Sequence, residues 1–238
     1  MKNFNTTKRA TLNFLLLAIF LLIGTTEAFS QSQTRIAGLG ENNGSGRIWN
    51  NPGNITADDT NYATAALTGN ETSRYLRARD FGFSIPTGAT ITGITATIMR
   101  QSSSNAGGNS IDDNVVRLMK NLALVGNNYA TATDWPTTMS AANYGTGTTD
   151  MWGTTWTEAD INNANFGLYF RVTNESGNNR TASVDYIEIT VYYTNPAPTI
   201  TTFSPNNACV NSGSTVIITG TNFTGATNVT FNGTAATF

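Results

Sequence analysis

The chain has 238 residues, enough for one large all-β domain or two smaller ones, and its formal net charge is −2. Charged residues make up only 12% of it, about half of the usual share, so neutral polar groups must supply most of its surface. Histidine is absent, which excludes Ser-His-Asp and Cys-His catalysis and His-ligated zinc, and a weakly acidic chain without a basic cluster disfavours nucleic acid as a partner.

Residues 1–30 have the composition of a secretory signal peptide. Three basic residues within the first nine positions precede an apolar run over residues 14–23, and small and polar residues follow. That run is about half the length of the roughly 20 apolar residues that cross a membrane. We therefore predict cleavage near Ser30, a secreted or cell-surface location, and no membrane insertion after cleavage. Removal of this segment leaves ten basic and fourteen acidic residues, a net charge of about −4.

Two stretches far apart in the sequence show the alternation of strands that bury one face. In residues 81–100 threonines separate the apolar positions, and in residues 184–194 tyrosine, glutamate and threonine do so. The apolar sets are Ile94, Ala96 and Ile98 in the first stretch and Ile187, Ile189 and Val191 in the second. Such faces must be covered by a second sheet. We therefore predict that the two strands pair and that the last one closes a β-sandwich.

Weaker strand patterns lie between and before these two stretches. They cover residues 62–67, 74–85, 115–125 and 166–172, and the apolar face of the third consists of Val116, Leu118, Leu122 and Leu124. A capped helical turn is predicted at residues 157–163, where Thr157 and Asp160 have capping-box spacing. About seven or eight strands with long connections favour a jelly-roll or Greek-key arrangement. The predicted fold class is all-β, with a jelly-roll-like antiparallel β-sandwich over residues 31–194.

Residues 195–198, with the sequence NPAP, are predicted to form a stiff linker. After it, residues 200–205 read ITTFSP and residues 213–233 read GSTVIITGTNFTGATNVTFNG. These motifs resemble the start of an IPT/TIG domain, the immunoglobulin-like module of many extracellular proteins. The resemblance implies that residues 199–238 form the first half of an immunoglobulin-like β-sandwich. The physical pattern agrees, because residues 215–219 and 229–231 have strand character and Asn232-Gly233 is a strong hairpin signal.

The resemblance covers about half of such a module. Half a sandwich exposes a sheet edge and an apolar face, so the sequence predicts that this chain is part of a longer protein. Cys209 is the only cysteine, and no internal disulfide can form. Two alternatives stay open for it: a partner in the missing part, or a lone buried thiol. The preceding region loosely resembles the jelly-roll sandwiches of secreted bacterial surface proteins and carbohydrate-binding modules.

Four aromatic residues lie close together in the Gly-rich connection between residues 126 and 156: Trp135, Tyr144, Trp152 and Trp156. Exposed, coplanar rings would form a platform for a glycan, whereas interdigitated rings would belong to the core. We take these four residues as the candidate ligand-binding set and keep the core as the alternative.

The carboxylates are the remaining candidates for chemistry. Asp58 and Asp59 lie in a predicted turn, where they would either ligate a structural calcium ion together with nearby carbonyls or simply stabilise the turn. Nothing fixes a pair of carboxylates at the separation that glycoside hydrolysis requires. We therefore predict no enzyme activity and no cofactor apart from that calcium ion.

The sequence as a whole predicts a non-catalytic binding or adhesion protein, secreted or at the cell surface, with an extracellular glycan or a surface protein as its partner. One alternative is a carbohydrate-binding accessory region of an extracellular polysaccharide-degrading enzyme whose catalytic domain lies outside this chain. Another is a structural spacer without a ligand.

Overall fold

The computed structural model describes residues 30–107, 109–205, 215–223, 226, 228–231 and 233–237. Cys209 and, apart from Ser30, the predicted signal peptide lie outside the described residues. The chain divides into two compact units: one spans Ala28–Ala197, and the other includes Pro198–Phe238. Both are built from antiparallel strands, which confirms the predicted all-β class.

The first unit contains two five-stranded sheets. Its strands are β1 (Ser30–Ile36), β2 (Leu39–Asn43), β3 (Ala63–Leu67), β4 (Tyr75–Arg79), β5 (Thr90–Ser102), β6 (Ile111–Lys120), β7 (Ala123–Leu124), β8 (Ser140–Tyr144), β9 (Gly167–Asn174) and β10 (Arg180–Thr194). Sheet one has the order β1-β10-β5-β8, and β3 also pairs with β10; sheet two has the order β2-β4-β9-β6-β7. A 3₁₀ helix, Pro52–Thr56, and the helix α1, Glu158–Ile161, complete the unit.

The predicted pairing of the two principal strands is confirmed. β5 and β10 are antiparallel neighbours, with Ile98 opposite Ile187 and Ile94 opposite Val191. The prediction that the last strand closes the sandwich is wrong in one respect, because β10 is central. β1 and β3 pair with its two halves on one side, and β5 pairs with it on the other.

The core lies between the two sheets because the inner face of each is apolar. It combines alternate residues of β5 and β10 from sheet one with alternate residues of β4, β6 and β9 from sheet two. The inner residues of sheet two, all fully buried, are Leu76, Ala78, Val116, Leu118, Leu168, Phe170 and Val172. Their strand neighbours must therefore point outward, since successive side chains of a strand alternate.

Three strands were not predicted from the sequence, and all three lie at sheet edges. β1, β2 and β8 read SQSQTRI, LGENN and SAANY, with little apolar alternation. An edge strand is held by backbone hydrogen bonds to one neighbour and buries little side-chain surface, so it carries a weak pattern.

Residues 115–125 are two strands rather than the one predicted. β6 ends at Lys120, and Asn121 and Leu122 take φ values of 48° and 68° in a tight turn to β7. Leu122 is consequently 38% exposed, although it was expected on the buried face. By contrast, Thr157 caps α1 through a capping box with Asp160, as predicted.

The second unit contains two antiparallel pairs in its described part. β11 (Thr199–Ser204) pairs with β12 (Ile217–Thr221), and β13 (Val229–Phe231) pairs with β14 (Thr234–Ala236). The second pair surrounds the predicted hairpin signal, of which Asn232 lies outside the described residues. β12 begins two residues later than the predicted strand.

No helix in the described ranges is long and apolar enough to cross a membrane.

A candidate binding face on sheet two

The four aromatic residues expected on the surface are buried, so they do not form a platform. Trp135 and Trp152 have no exposed area, and Tyr144 and Trp156 are 4% and 6% exposed. Each ring belongs to the core between the sheets. Of the two alternatives, the four residues are therefore core residues, because the Gly-rich connection folds inward and their rings fill the sandwich.

Their polar groups explain why these rings can be buried. The indole of Trp135 donates to Asp113 at 3.0 Å, and the phenol of Tyr144 donates to the same carboxylate at 3.0 Å. The indole of Trp152 donates to the carbonyl of Ile94 at 2.8 Å. Buried Trp and Tyr need such partners for their N–H and O–H groups.

A buried ion pair links the two sheets at this point. Arg100 of β5 donates to Asp113 of β6, and its guanidinium lies 4.7 Å from the ring centroid of Trp135. Burial, and next to it the charge of Asp113, raises the pKa of Tyr144. These contacts orient the core, and the four aromatic residues serve its packing.

Asp58 and Asp59 lie in a turn with the geometry of an Asx-stabilised loop. The carboxylate of Asp59 accepts from the backbone and side-chain nitrogens of Asn61 at 2.7 and 3.1 Å, which lowers its pKa. The backbone N–H of Asp59 donates to Asp185 at 3.2 Å. Within the described ranges, no three acidic, cysteine or histidine residues are grouped so that they could hold a metal ion. The calcium site stays a prediction.

The outer face of sheet two contains an ordered layer of arginine and tyrosine, which sequence reasoning missed. We call it the Arg/Tyr face and define it by Tyr75, Arg77 and Arg79 of β4, Arg117 of β6, and Tyr169 and Arg171 of β9. Strand register places them in rows: Tyr169 lies opposite Arg77 on one side and Arg117 on the other. Glu41 of β2 continues that row beyond Arg77.

Contacts with tyrosine rings hold two of the guanidinium groups, those of Arg77 and Arg171. Arg77 lies 5.8 Å from the ring centroid of Tyr169, and Arg171 lies 5.2 Å from that of Tyr75. The two tyrosine rings meet edge to face at 5.2 Å. Nη1 of Arg77 also donates to the hydroxyl of Tyr169 at 3.2 Å. Cation–π contacts of this kind fix a guanidinium while leaving it charged.

Among the residues that the structure describes, a single carboxylate forms ion pairs with the four arginines of this face. Glu41 pairs with Arg77 at 2.7 Å and with Arg79 at 2.6 Å. Burial raises the pKa of Glu41, but the hydrogen bonds from Arg79 and Arg77 outweigh it and keep this pKa below its ordinary value. Glu41 therefore stays ionised, and three net positive charges remain on the face.

Arg117 has no charged partner among the residues that the structure describes. It forms no ion pair there, and its buried Nε has no hydrogen-bond acceptor. Arg171 donates only to a carbonyl, that of Ser73, at 2.9 Å. The face thus combines preordered guanidinium groups with unneutralised charge, which is suited to binding an anion.

A sequence signal for this face exists but is spread over three strands. Tyr75, Arg77 and Arg79 share one parity in β4, as do Tyr169 and Arg171 in β9. No segment is basic by itself, so a search for charge runs finds nothing. Only the register of sheet two brings the arginines together.

Comparison with known proteins covers the second unit alone. Residues 198–238 match the model of the IPT/TIG domain family, which confirms the resemblance that the sequence motifs indicated. No curated protein and no solved structure shows detectable similarity to the chain. The C-terminal segment is thus similar to the immunoglobulin-like IPT/TIG module, and the role of the sandwich before it must be argued from its own surface.

Proposed function

We propose that this protein is an exported, non-catalytic binding or adhesion protein whose β-sandwich binds an anionic extracellular glycan on the Arg/Tyr face. The observation that carries the proposal is the excess of four arginines over one glutamate on a single sheet face. Planar guanidinium groups match the carboxylate and sulfate groups of acidic polysaccharides, to which they can donate two parallel hydrogen bonds.

The shape of the face favours an extended ligand. The row from Glu41 on β2 to Arg117 on β6 crosses three strand spacings of about 4.8 Å, roughly 14 Å in all. A surface of this width can meet several repeating charges of a polymer. Since the guanidinium groups of Arg77 and Arg171 are already stacked on tyrosine rings, their ordering costs little on binding.

Composition and the C-terminal module support a non-catalytic, extracellular role. The chain has no histidine, and two acids of the first unit already serve structural contacts: Asp113 in the core and Asp160 in the helix cap. The basic and apolar order of residues 1–30 supports export. IPT/TIG-like segments often belong to binding or adhesion proteins.

The test is a binding titration of the whole chain with polygalacturonate, a sulfated glycan, neutral dextran, double-stranded DNA and polyglutamate, at low and high salt. We expect binding to the anionic glycans that weakens as salt rises, and little binding to dextran. Arg117→Gln should weaken glycan binding roughly fivefold, because it removes a charge that no acid neutralises.

The matched control is Arg35→Gln, which removes one exposed positive charge from β1 of sheet one. Arg35 donates only to the carbonyl of Thr34. An equal loss in R35Q and R117Q would contradict the Arg/Tyr face. Equal affinity for dextran and polygalacturonate would contradict the anionic ligand, and preferential binding of DNA or polyglutamate would replace the glycan by another class of partner.

A further inference from the structure

A cleft of about 240 Å³ opens beside the β3–β10 pair, and none of its lining residues belongs to the Arg/Tyr face. The end of β3 forms one wall, the start of β10 forms another, and Arg47 and Arg180 contribute the charges. At about 30 Å³ per water molecule, the cleft has the room of roughly eight waters. It can therefore take one small chemical group but no long segment of a polymer.

Arg47 is held in place by a forked ion pair. Its Nε and Nη2 donate to the two carboxylate oxygens of Glu71 at 3.0 and 2.7 Å. The same carboxylate accepts from the backbone N–H of Thr68 at 2.7 Å, at the rim of the cleft. Nη1 of Arg47 donates to no acceptor in the described part of the chain. The guanidinium is thus fixed with one edge unused.

Arg180 has no carboxylate partner. Its Nη1 and Nη2 donate to the carbonyls of Asn179 and Ala106 at 3.2 and 3.1 Å, and its buried Nε has no acceptor. Among the described residues no acid lies within ion-pair distance of it. Carbonyls orient a guanidinium but carry no formal charge, so Arg180 brings a positive charge without a counter-ion to the lining of the cleft.

We propose that this cleft binds one compact oxyanion, a carboxylate, sulfate or phosphate group, between Arg47 and Arg180. Two arginines against Glu71 leave one net positive charge, and the anion supplies the missing negative charge. Fixed guanidinium groups at a site with room for one group favour a small oxyanion over a neutral ligand. The site is independent of the Arg/Tyr face.

The experiment follows the Nε–Hε signal of Arg180 and the backbone amide of Thr181 by NMR in the isotope-labelled whole chain. Sodium sulfate, sodium phosphate and sodium acetate are titrated at constant ionic strength, with sodium chloride as the reference. We expect saturable shifts at millimolar concentration for at least one oxyanion and none for chloride. The comparison of acetate with sulfate and phosphate distinguishes a planar from a tetrahedral ligand.

The variants assign the site. Arg180→Gln, read at the Thr181 amide, should lose at least tenfold in affinity, and Arg180→Lys should recover part of that loss because it keeps the charge. Arg35→Gln, which lies outside both sites, should leave the affinity within twofold of the original. The absence of a saturable shift in the unaltered chain, or an R180Q variant that binds as well as the original, would overturn the proposal. Since R117Q tests the Arg/Tyr face and R180Q tests the cleft, failure at one site is distinguishable from failure at the other.

Discussion

The two outer faces of the sandwich are built by the same alternation but carry opposite chemistry. On sheet one, Thr34, Thr190 and Thr95 lie side by side across β1, β10 and β5, and the first two are hydrogen-bonded at 2.9 Å. On sheet two, the corresponding layer is arginine stacked on tyrosine. The threonine row of sheet one is uncharged, and two of its hydroxyl groups are hydrogen-bonded to each other, whereas the Arg/Tyr face has a net positive charge.

The difference shows that net charge is a poor guide to the chemistry of a face. The whole chain is weakly acidic, yet the Arg/Tyr face has three net positive charges. On sheet one, burial and then the charge of Asp58 raise the pKa of Glu188, and no described residue forms an ion pair with this acid. The inner faces, by contrast, are both largely apolar apart from the Arg100–Asp113 pair. The chemical difference between the two sheets therefore lies in the outward-pointing half of each strand.

The largest expected effect is the loss of the buried ion pair that joins the two sheets. Asp113→Ala would leave Arg100 charged and unpaired in the core and should lower the free energy of unfolding by about 3–5 kcal/mol. Chemical denaturation followed by near-UV circular dichroism measures it. Asp59→Asn, in the exposed turn, is the control. A D113A variant as stable as D59N would mean that the Arg100–Asp113 pair does not stabilise the packing of the two sheets.

The next effect tests the charge of the Arg/Tyr face directly. Arg117→Glu changes the charge by two and should weaken binding of polygalacturonate at least tenfold, about 1.4 kcal/mol, with the difference shrinking at high salt. Arg35→Glu on sheet one makes the same change of charge elsewhere. Identical affinities of R117E and R35E for polygalacturonate would show that binding does not depend on the Arg/Tyr face.

A smaller effect concerns Asp112, which lies opposite Thr173 where the basic rows of sheet two end. Burial, with the charges of Asp134 and Glu175, raises its pKa to about 6, against 3.8 for an ordinary aspartate. The folded state then binds the proton of Asp112 more tightly than the unfolded chain does. The free energy of unfolding is therefore undiminished by this group below about pH 4, and it falls as pH rises through 6.

Asp112→Asn should therefore raise stability at pH 7 by about 1 kcal/mol, a figure reduced for solvent screening, and the gain should vanish near pH 4. Urea denaturation at four pH values between 4 and 7 measures the difference between the variant and the original. D59N, whose aspartate has a lowered pKa, should show no such gain. A constant difference across that range would refute the assignment.

The smallest effect is expected in the threonine row on the outer face of sheet one. The double change Thr34→Val and Thr190→Val removes a hydroxyl pair of which one member is exposed, and should cost less than about 1 kcal/mol of stability. It should leave polygalacturonate binding unchanged, as measured by the same titration. Weakened binding in this variant would indicate that the ligand binds on sheet one rather than on the Arg/Tyr face.

The sequence predicted the inner half of the fold well, because burial imposes a period of two on central strands. The pairing of β5 with β10 and the buried parity of β9 both follow from that pattern. The edge strands β1, β2 and β8 could not be predicted, since backbone pairing rather than apolar side chains holds them. The parity error at Leu122 came from a two-residue turn with no glycine or proline to mark it.

The candidate site could not be predicted from residue types alone. Trp135 and Trp152 have the composition of a platform, but whether a ring is exposed depends on where a long connection folds. Arg77 and Arg117 are 40 positions apart in the sequence and adjacent in the sheet only through Tyr169. Their proximity depends on strand order, which a single sequence does not encode locally.

The central position of β10 has a consequence for how the sandwich is made. β1, β3 and β5 all pair with β10, which begins at residue 180 and is therefore synthesised after them. At about 5–20 residues per second, the chain from β1 to β10 takes roughly 8–30 s to emerge. Until then β1 and β3 lack their strand partner in sheet one, and β5 can pair only with β8. The pairings with β10 join residues of large sequence separation, which slows folding. The pairings that complete sheet one around β10 can therefore form only once residues 180–194 have been synthesised.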